Sequence, residues 1–108
     1  MLTKYFPGIS KVTPEMYAEV ESRSGGICEI CGERRAEEVH HIAGRRRRAC
    51  AENLIHLCRE CHKPPNGVHA NAELNSSILR KYQDWCFSHG YDEDEVRYLL
   101  GTKSGRLF

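Results

Sequence analysis

The sequence predicts an α+β fold: a short antiparallel hairpin stapled by a four-cysteine metal site, with one helix before it and helices after it. Three observations carry this expectation. Two Cys-x-x-Cys pairs, Cys28/Cys31 and Cys58/Cys61, bracket a stretch that holds two short strand candidates. Thr13-Pro14 and Gly25-Gly26 frame a helix upstream of that stretch. Downstream, Leu74, Ile78, Tyr82, Trp85 and His89 recur at helical spacing.

At 108 residues the chain reads as one domain, 1–108, with an arm over 1–13, a leading helix over 14–26, a metal-binding core over 27–69 and a helical extension over 70–108. A core of this size is modest, so a bound metal would supply folding free energy that apolar burial alone lacks. Hydrophobic residues make up 40% and charged residues 29%, a balance that favours a folded domain over disorder. The net charge of +1 argues against a protein that coats nucleic acid by bulk charge. Basic residues are concentrated instead, with Arg45, Arg46, Arg47 and Arg48 contiguous.

Each element has a local cause. Thr13 can cap the leading helix, and Pro14 stands at its first position, where a missing N–H costs nothing. Met16, Tyr17 and Val20 then share a face, and Gly25 offers the left-handed conformation that ends a helix. Ala36 to Ile42 is the first strand candidate and Leu54 to Leu57 the second, with an Arg-rich loop from Ala43 to Glu52 between them. Arg59 begins a helical turn that carries Cys61 and His62, and Pro64-Pro65 with Asn66-Gly67 interrupts it. Leu79 and Cys86 join the later apolar stripe, which Gly90 closes. Asp92 and Glu95 have the spacing of a capping box ahead of Val96, Leu99 and Leu100, and Gly101 ends that last helix.

The N-terminus has no apolar stretch of the signal-peptide kind, and no apolar run reaches membrane-spanning length. A cytoplasmic, reducing setting is therefore expected, where paired Cys-x-x-Cys motifs read as metal sites. Cys28, Cys31, Cys58 and Cys61 fit a tetrahedral four-cysteine zinc site, and Gly32 permits the tight turn around the ion. Cys86 reads as a small core residue. Cys50 follows four arginines, which would lower its pKa, although a plain free thiol is the simpler reading.

Within this frame the motifs GGICEICG, EVHHI, ENLIHLC and RECH occur in that order. Together they resemble the HNH endonuclease family, the ββα-metal or His-Me finger type with an embedded four-cysteine zinc site. The resemblance covers about Arg23 to His69. It implies two antiparallel strands, a joining loop and a helix around one catalytic metal. By position in the motif, His41 resembles the general base and His40 the first ligand of the catalytic metal. Asn53 resembles the asparagine that pins the loop and orients the base, and His62 the second metal ligand. Some relatives carry a third histidine one helical turn after the second; here that place is Asn66, which leaves His69 as the remaining candidate. Many relatives are encoded by phages or mobile elements.

The chemistry agrees with this division. Histidine titrates near neutral pH, as a base acting on water requires. Adjacent strand residues point to opposite faces, so a bend is needed to aim His40 at a metal and His41 at a water. Two imidazoles leave coordination positions open for phosphate and water. Mg²⁺ or Mn²⁺ would serve there, and imidazole also suits Ni²⁺, Co²⁺ or Zn²⁺. Arg45 to Arg48, with Arg34 and Arg35 as an extension, are candidate phosphate contacts that position nucleic acid without reading its sequence. His56 reads as a satisfied or exposed strand histidine.

The expected activity is hydrolysis of DNA phosphodiester bonds, with DNA preferred over RNA. A monomer would nick one strand, and double-strand cleavage would need a homodimer or a protein partner. The competing reading is a non-catalytic zinc module that binds nucleic acid or protein. It accounts for the cysteines and arginines but gives no reason for His41 and Asn53 together.

Overall fold

A computed structural model describes residues 11–44, 49–102 and 107. The chain is a small α+β protein, with four helices and one two-stranded antiparallel sheet among the described residues. In order they are α1 (Pro14–Ser24), β1 (Glu38–His41), β2 (Leu54–Leu57), α2 (Arg59–His62), α3 (Ala72–Ser88) and α4 (Glu93–Leu100). Short 3-10 turns at Ala51–Asn53 and Val68–Ala70 lead into β2 and α3. Among the described residues, no helix is long and apolar enough to cross a membrane.

The sequence signals for α1 act as expected. The Thr13 hydroxyl accepts from the Met16 N–H at 3.2 Å, and Gly25 ends the helix at φ 67°. A side chain there would be strained in the left-handed region. Arg23, in the last turn, binds both carboxylate oxygens of Glu29 at 2.8 Å. It also donates to the carbonyls of Ala51 at 2.7 Å and Leu54 at 2.6 Å. Glu29 in turn accepts the backbone N–H of His56 at 2.8 Å. One guanidinium thus ties α1, the first cysteine turn and β2 together.

The strands pair in the register Glu38↔Leu57, Val39↔His56, His40↔Ile55, His41↔Leu54. β1 is shorter than the expected Ala36 to Ile42, while β2 keeps its expected bounds. Every residue of β2 is buried, because the core covers one face and α1 covers the other. His56 fills that second face at 1% exposure. It hydrogen-bonds Ser24 Oγ through Nδ1 at 2.8 Å and Tyr17 Oη through Nε2 at 3.2 Å. Its role is structural, as a satisfied strand histidine.

α3 buries Ile78, Leu79, Gln83 and Cys86. The stripe expected to run on through Trp85 and His89 does not stay buried. Trp85 is 49% exposed and stacks on His89, ring centroids 3.9 Å apart. The helix turns its last apolar face to Cys86, whose burial as a small core residue is complete at 1% exposure. Gln83 Nε2–H donates to the Leu100 carbonyl at 2.6 Å and so anchors α4. The capping box of α4 forms: Asp92 accepts from the Glu95 N–H at 2.8 Å, and Glu95 accepts from the Asp92 N–H at 3.0 Å. Val96, Leu99 and Leu100 then close the core against Ile42, Ile55, Leu57, Val68 and Leu79.

Removing the Arg23 clamp leaves carbonyls and a carboxylate without their donor. Arg23→Ala is expected to lower unfolding free energy by about 1–3 kcal/mol, with little recovery in Arg23→Lys, which lacks the fork. Denaturant unfolding in the presence of zinc measures both.

Candidate functional site

Two clusters of side chains that could ligate a metal occur among the described residues. Cys28, Cys31, Cys58 and Cys61 bring four sulfurs within 4.8 Å of one another. Thiolates on one tetrahedral zinc at about 2.3 Å would lie about 3.8 Å apart, and Cys31 and Cys58 Sγ are 4.0 Å apart. The first pair sits in a turn closed by Gly32, whose N–H donates to the Cys28 carbonyl at 3.0 Å. The second pair spans the start of α2, with Cys58 as its cap. The four cysteines could hold a metal such as zinc.

Backbone amides of Arg34 and Glu33 pull the Cys31 thiol down to about 6, while burial pushes Cys61 up to about 12. Arg34, a candidate extension of the arginine patch, places Nη1 at 3.6 Å from Cys31 Sγ and 3.8 Å from Cys58 Sγ. Arg35 is exposed and forms an isolated backbone bridge with Ile27. Cys50 does not behave as an activated thiol. Burial raises it to about 12, and it packs against the core. Arg45, Arg46, Arg47 and Arg48 lie outside the described residues.

The second cluster is His40, His62 and His69, one ring nitrogen from each lying within 4.8 Å of the others. His40 comes from β1, His62 from the end of α2 and His69 from the Val68–Ala70 turn. His62 and His69 Nε2 are 2.9 Å apart. Two nitrogens held at right angles on one ion at about 2.1 Å would be about 3 Å apart. His69 thus stands with His40 and His62, and Asn66 is not part of this cluster. Gly67 makes this return possible: a Cβ there would lie 2.4 Å from the His62 carbonyl carbon and the Lys63 oxygen.

Two further residues hold this cluster, and sequence reading missed both. His62 Nδ1–H donates to Glu38 Oε1 at 2.6 Å, which holds the Glu38 carboxyl below its ordinary range. His40 Nε2 meets Asn75 Oδ1 at 2.8 Å. Glu38 stands two residues before His40, on the same strand face, so the EVHH spacing carried a usable signal. Asn75 lies 35 residues from its partner on α3 and carried none. Burial lowers His40 to about 4 and also lowers His69, which favours the neutral form of each, with a lone pair to offer.

His41 lines the same cleft, of ≈ 560 Å³, together with His40, His62, His69 and Asn75. The bend that brings both neighbouring histidines there follows at once. Gly44, at φ 82°, donates its N–H to the His41 carbonyl at 3.1 Å. Asn53, fully buried, pins this turn. Its Oδ1 accepts from the Ala43 N–H at 2.7 Å, and its carbonyl accepts from the Ile42 N–H at 2.9 Å.

No protein-family model matches the chain, and no curated protein or solved structure matches it.

Two outcomes follow from this geometry. His40 is depressed from about 6.5 unfolded to about 4 folded, so the native state resists a proton that the unfolded chain accepts. Its contribution is complete above the unfolded value and is lost as pH falls toward the folded one. Stability is expected to fall more steeply from pH 7 to pH 5 in wild type than in His40→Asn, as read by denaturant titrations at each pH. Gly67→Ala is expected to cost about 1–3 kcal/mol, whereas Ala at exposed Asn66 changes stability by no more than about 0.5 kcal/mol, measured the same way.

Proposed function

We propose that the chain is a metal-dependent endonuclease of the HNH, ββα-metal type that hydrolyses DNA phosphodiester bonds. The observation that carries this reading is the meeting of His41 with the His40–His62–His69 cluster in one cleft. The order β1, β2, α2, with Asn53 bonded to the turn after His41, supports it. The four cysteines fit a structural zinc that staples this unit.

The donor set fits a resident divalent ion. His40, His62 and His69 would hold it, and when bound it would neutralise charge developing on the scissile phosphate and leaving oxygen. Three imidazoles without a carboxylate favour Zn²⁺, Co²⁺ or Ni²⁺ over Mg²⁺. His41 accepts a proton from the attacking water, whose oxygen bonds to phosphorus in line with the 3′ oxygen. The phosphorus–3′ oxygen bond breaks, and the 3′ oxygen takes a proton from solvent, leaving a 3′-hydroxyl and a 5′-phosphate. Asn53 holds the backbone behind His41, which limits the positions the imidazole can take. Arg45 to Arg48 follow His41 in sequence and supply the cations that backbone phosphates attract.

The test is nicking of supercoiled plasmid by wild type and His41→Ala after chelation and return of Mg²⁺, Mn²⁺, Co²⁺ or Ni²⁺, with bound zinc quantified in both. Metal-restored nicking by wild type, reduced at least 100-fold in the variant with zinc unchanged, is the expected outcome. No cleavage with any ion, in protein that keeps its zinc, would overturn the nuclease reading in favour of a binding module.

A further inference from the structure

We infer that Glu38 and Asn75 are positioning residues that decide which nitrogen each histidine turns to the ion: Nδ1 from His40, Nε2 from His62. The inference rests on the metal-dependent reading above. It begins with Asn75, whose amide is oriented by two bonds. Its Nδ2–H donates to the Ile42 carbonyl at 3.3 Å. That leaves Oδ1, an acceptor only, toward His40 Nε2 at 2.8 Å.

A neutral imidazole carries one N–H. On His40 that N–H is required at Nε2 to satisfy Asn75, so the lone pair sits on Nδ1. His62 is the reverse case. Glu38 Oε1 accepts from Nδ1 at 2.6 Å, so the lone pair sits on Nε2, the atom 2.9 Å from His69 Nε2. The two outer partners also differ in charge. A carboxylate behind His62 makes that imidazole the more basic donor, whereas the amide behind His40 fixes orientation without adding charge.

Asn75 belongs to the first turn of α3, where Asn71 caps the helix through the Leu74 N–H at 3.0 Å. The helical extension therefore does more than complete the core. It supplies the group that sets the tautomer of a ligand on β1.

The test uses the full chain, labelled with ¹⁵N-histidine and carrying zinc in the cysteine site. Long-range ¹H–¹⁵N spectra are recorded before and after one further equivalent of Zn²⁺, and Co²⁺ titrations report affinity. His40 is expected as the Nε2–H tautomer with the ion at Nδ1, and His62 as Nδ1–H with the ion at Nε2. Asn75→Leu and Glu38→Ala are expected to weaken Co²⁺ binding about 10–100-fold. Asn75→Asp and Glu38→Gln, which keep an acceptor oxygen, recover most of it. Zinc held by the cysteines stays constant throughout. An ion on His40 Nε2, or unchanged Co²⁺ affinity in both truncations, would overturn the inference while leaving the metal site in place. Wild type that takes up no ion beyond the cysteine zinc would overturn the metal-dependent reading and this inference together.

Discussion

Cys61 and His62 are consecutive residues on a helix of one turn. This adjacency constrains most of what surrounds them. The sulfur points into one cluster and the imidazole into the other, so the backbone between Cys58 and Lys63 serves two sites at once. The helix is too short to be stable by its own hydrogen bonds. What holds it is attachment at both ends: the cysteine cluster on one side, and Glu38 and His69 on the other. β1 supplies both Glu38 and His40, so the paired hairpin carries groups of the histidine cluster.

The Arg23–Glu29 pair does comparable work on the α1 side of β2. Its network spans α1, the first cysteine turn, the turn before β2 and the backbone of His56. Both cysteine turns therefore rest on elements fixed by hydrogen bonds to charged groups, which are stronger than neutral ones.

Most of the frame was legible because its signals are local. Thr13-Pro14, Asp92 with Glu95, and the two Cys-x-x-Cys pairs each act over four residues or fewer, and each behaves as its spacing predicts. The resemblance also picked out His40, His41 and His62, which line one cleft, and Asn53, which bonds the turn after His41. Longer-range relations were not legible. His69 looked marginal because the helical-turn position is Asn66, and only the tight return at Gly67 brings it back. Asn75 met no rule at all, since nothing in its own neighbourhood refers to β1. Trp85 was misjudged because helical spacing marks a face without saying how far along the helix that face stays covered.

The bond between Asn75 and His40 also bears on modularity. Every side chain that can ligate in either cluster falls between Cys28 and His69, a span that looks like a self-contained cassette. Yet one of its imidazoles takes its orientation from a helix that begins after that span has ended. Grafting the cassette onto another scaffold would carry all seven clustered side chains and still leave one of them free to spin. A faithful transplant would have to bring the first turn of α3 along, or provide a carbonyl oxygen in its place.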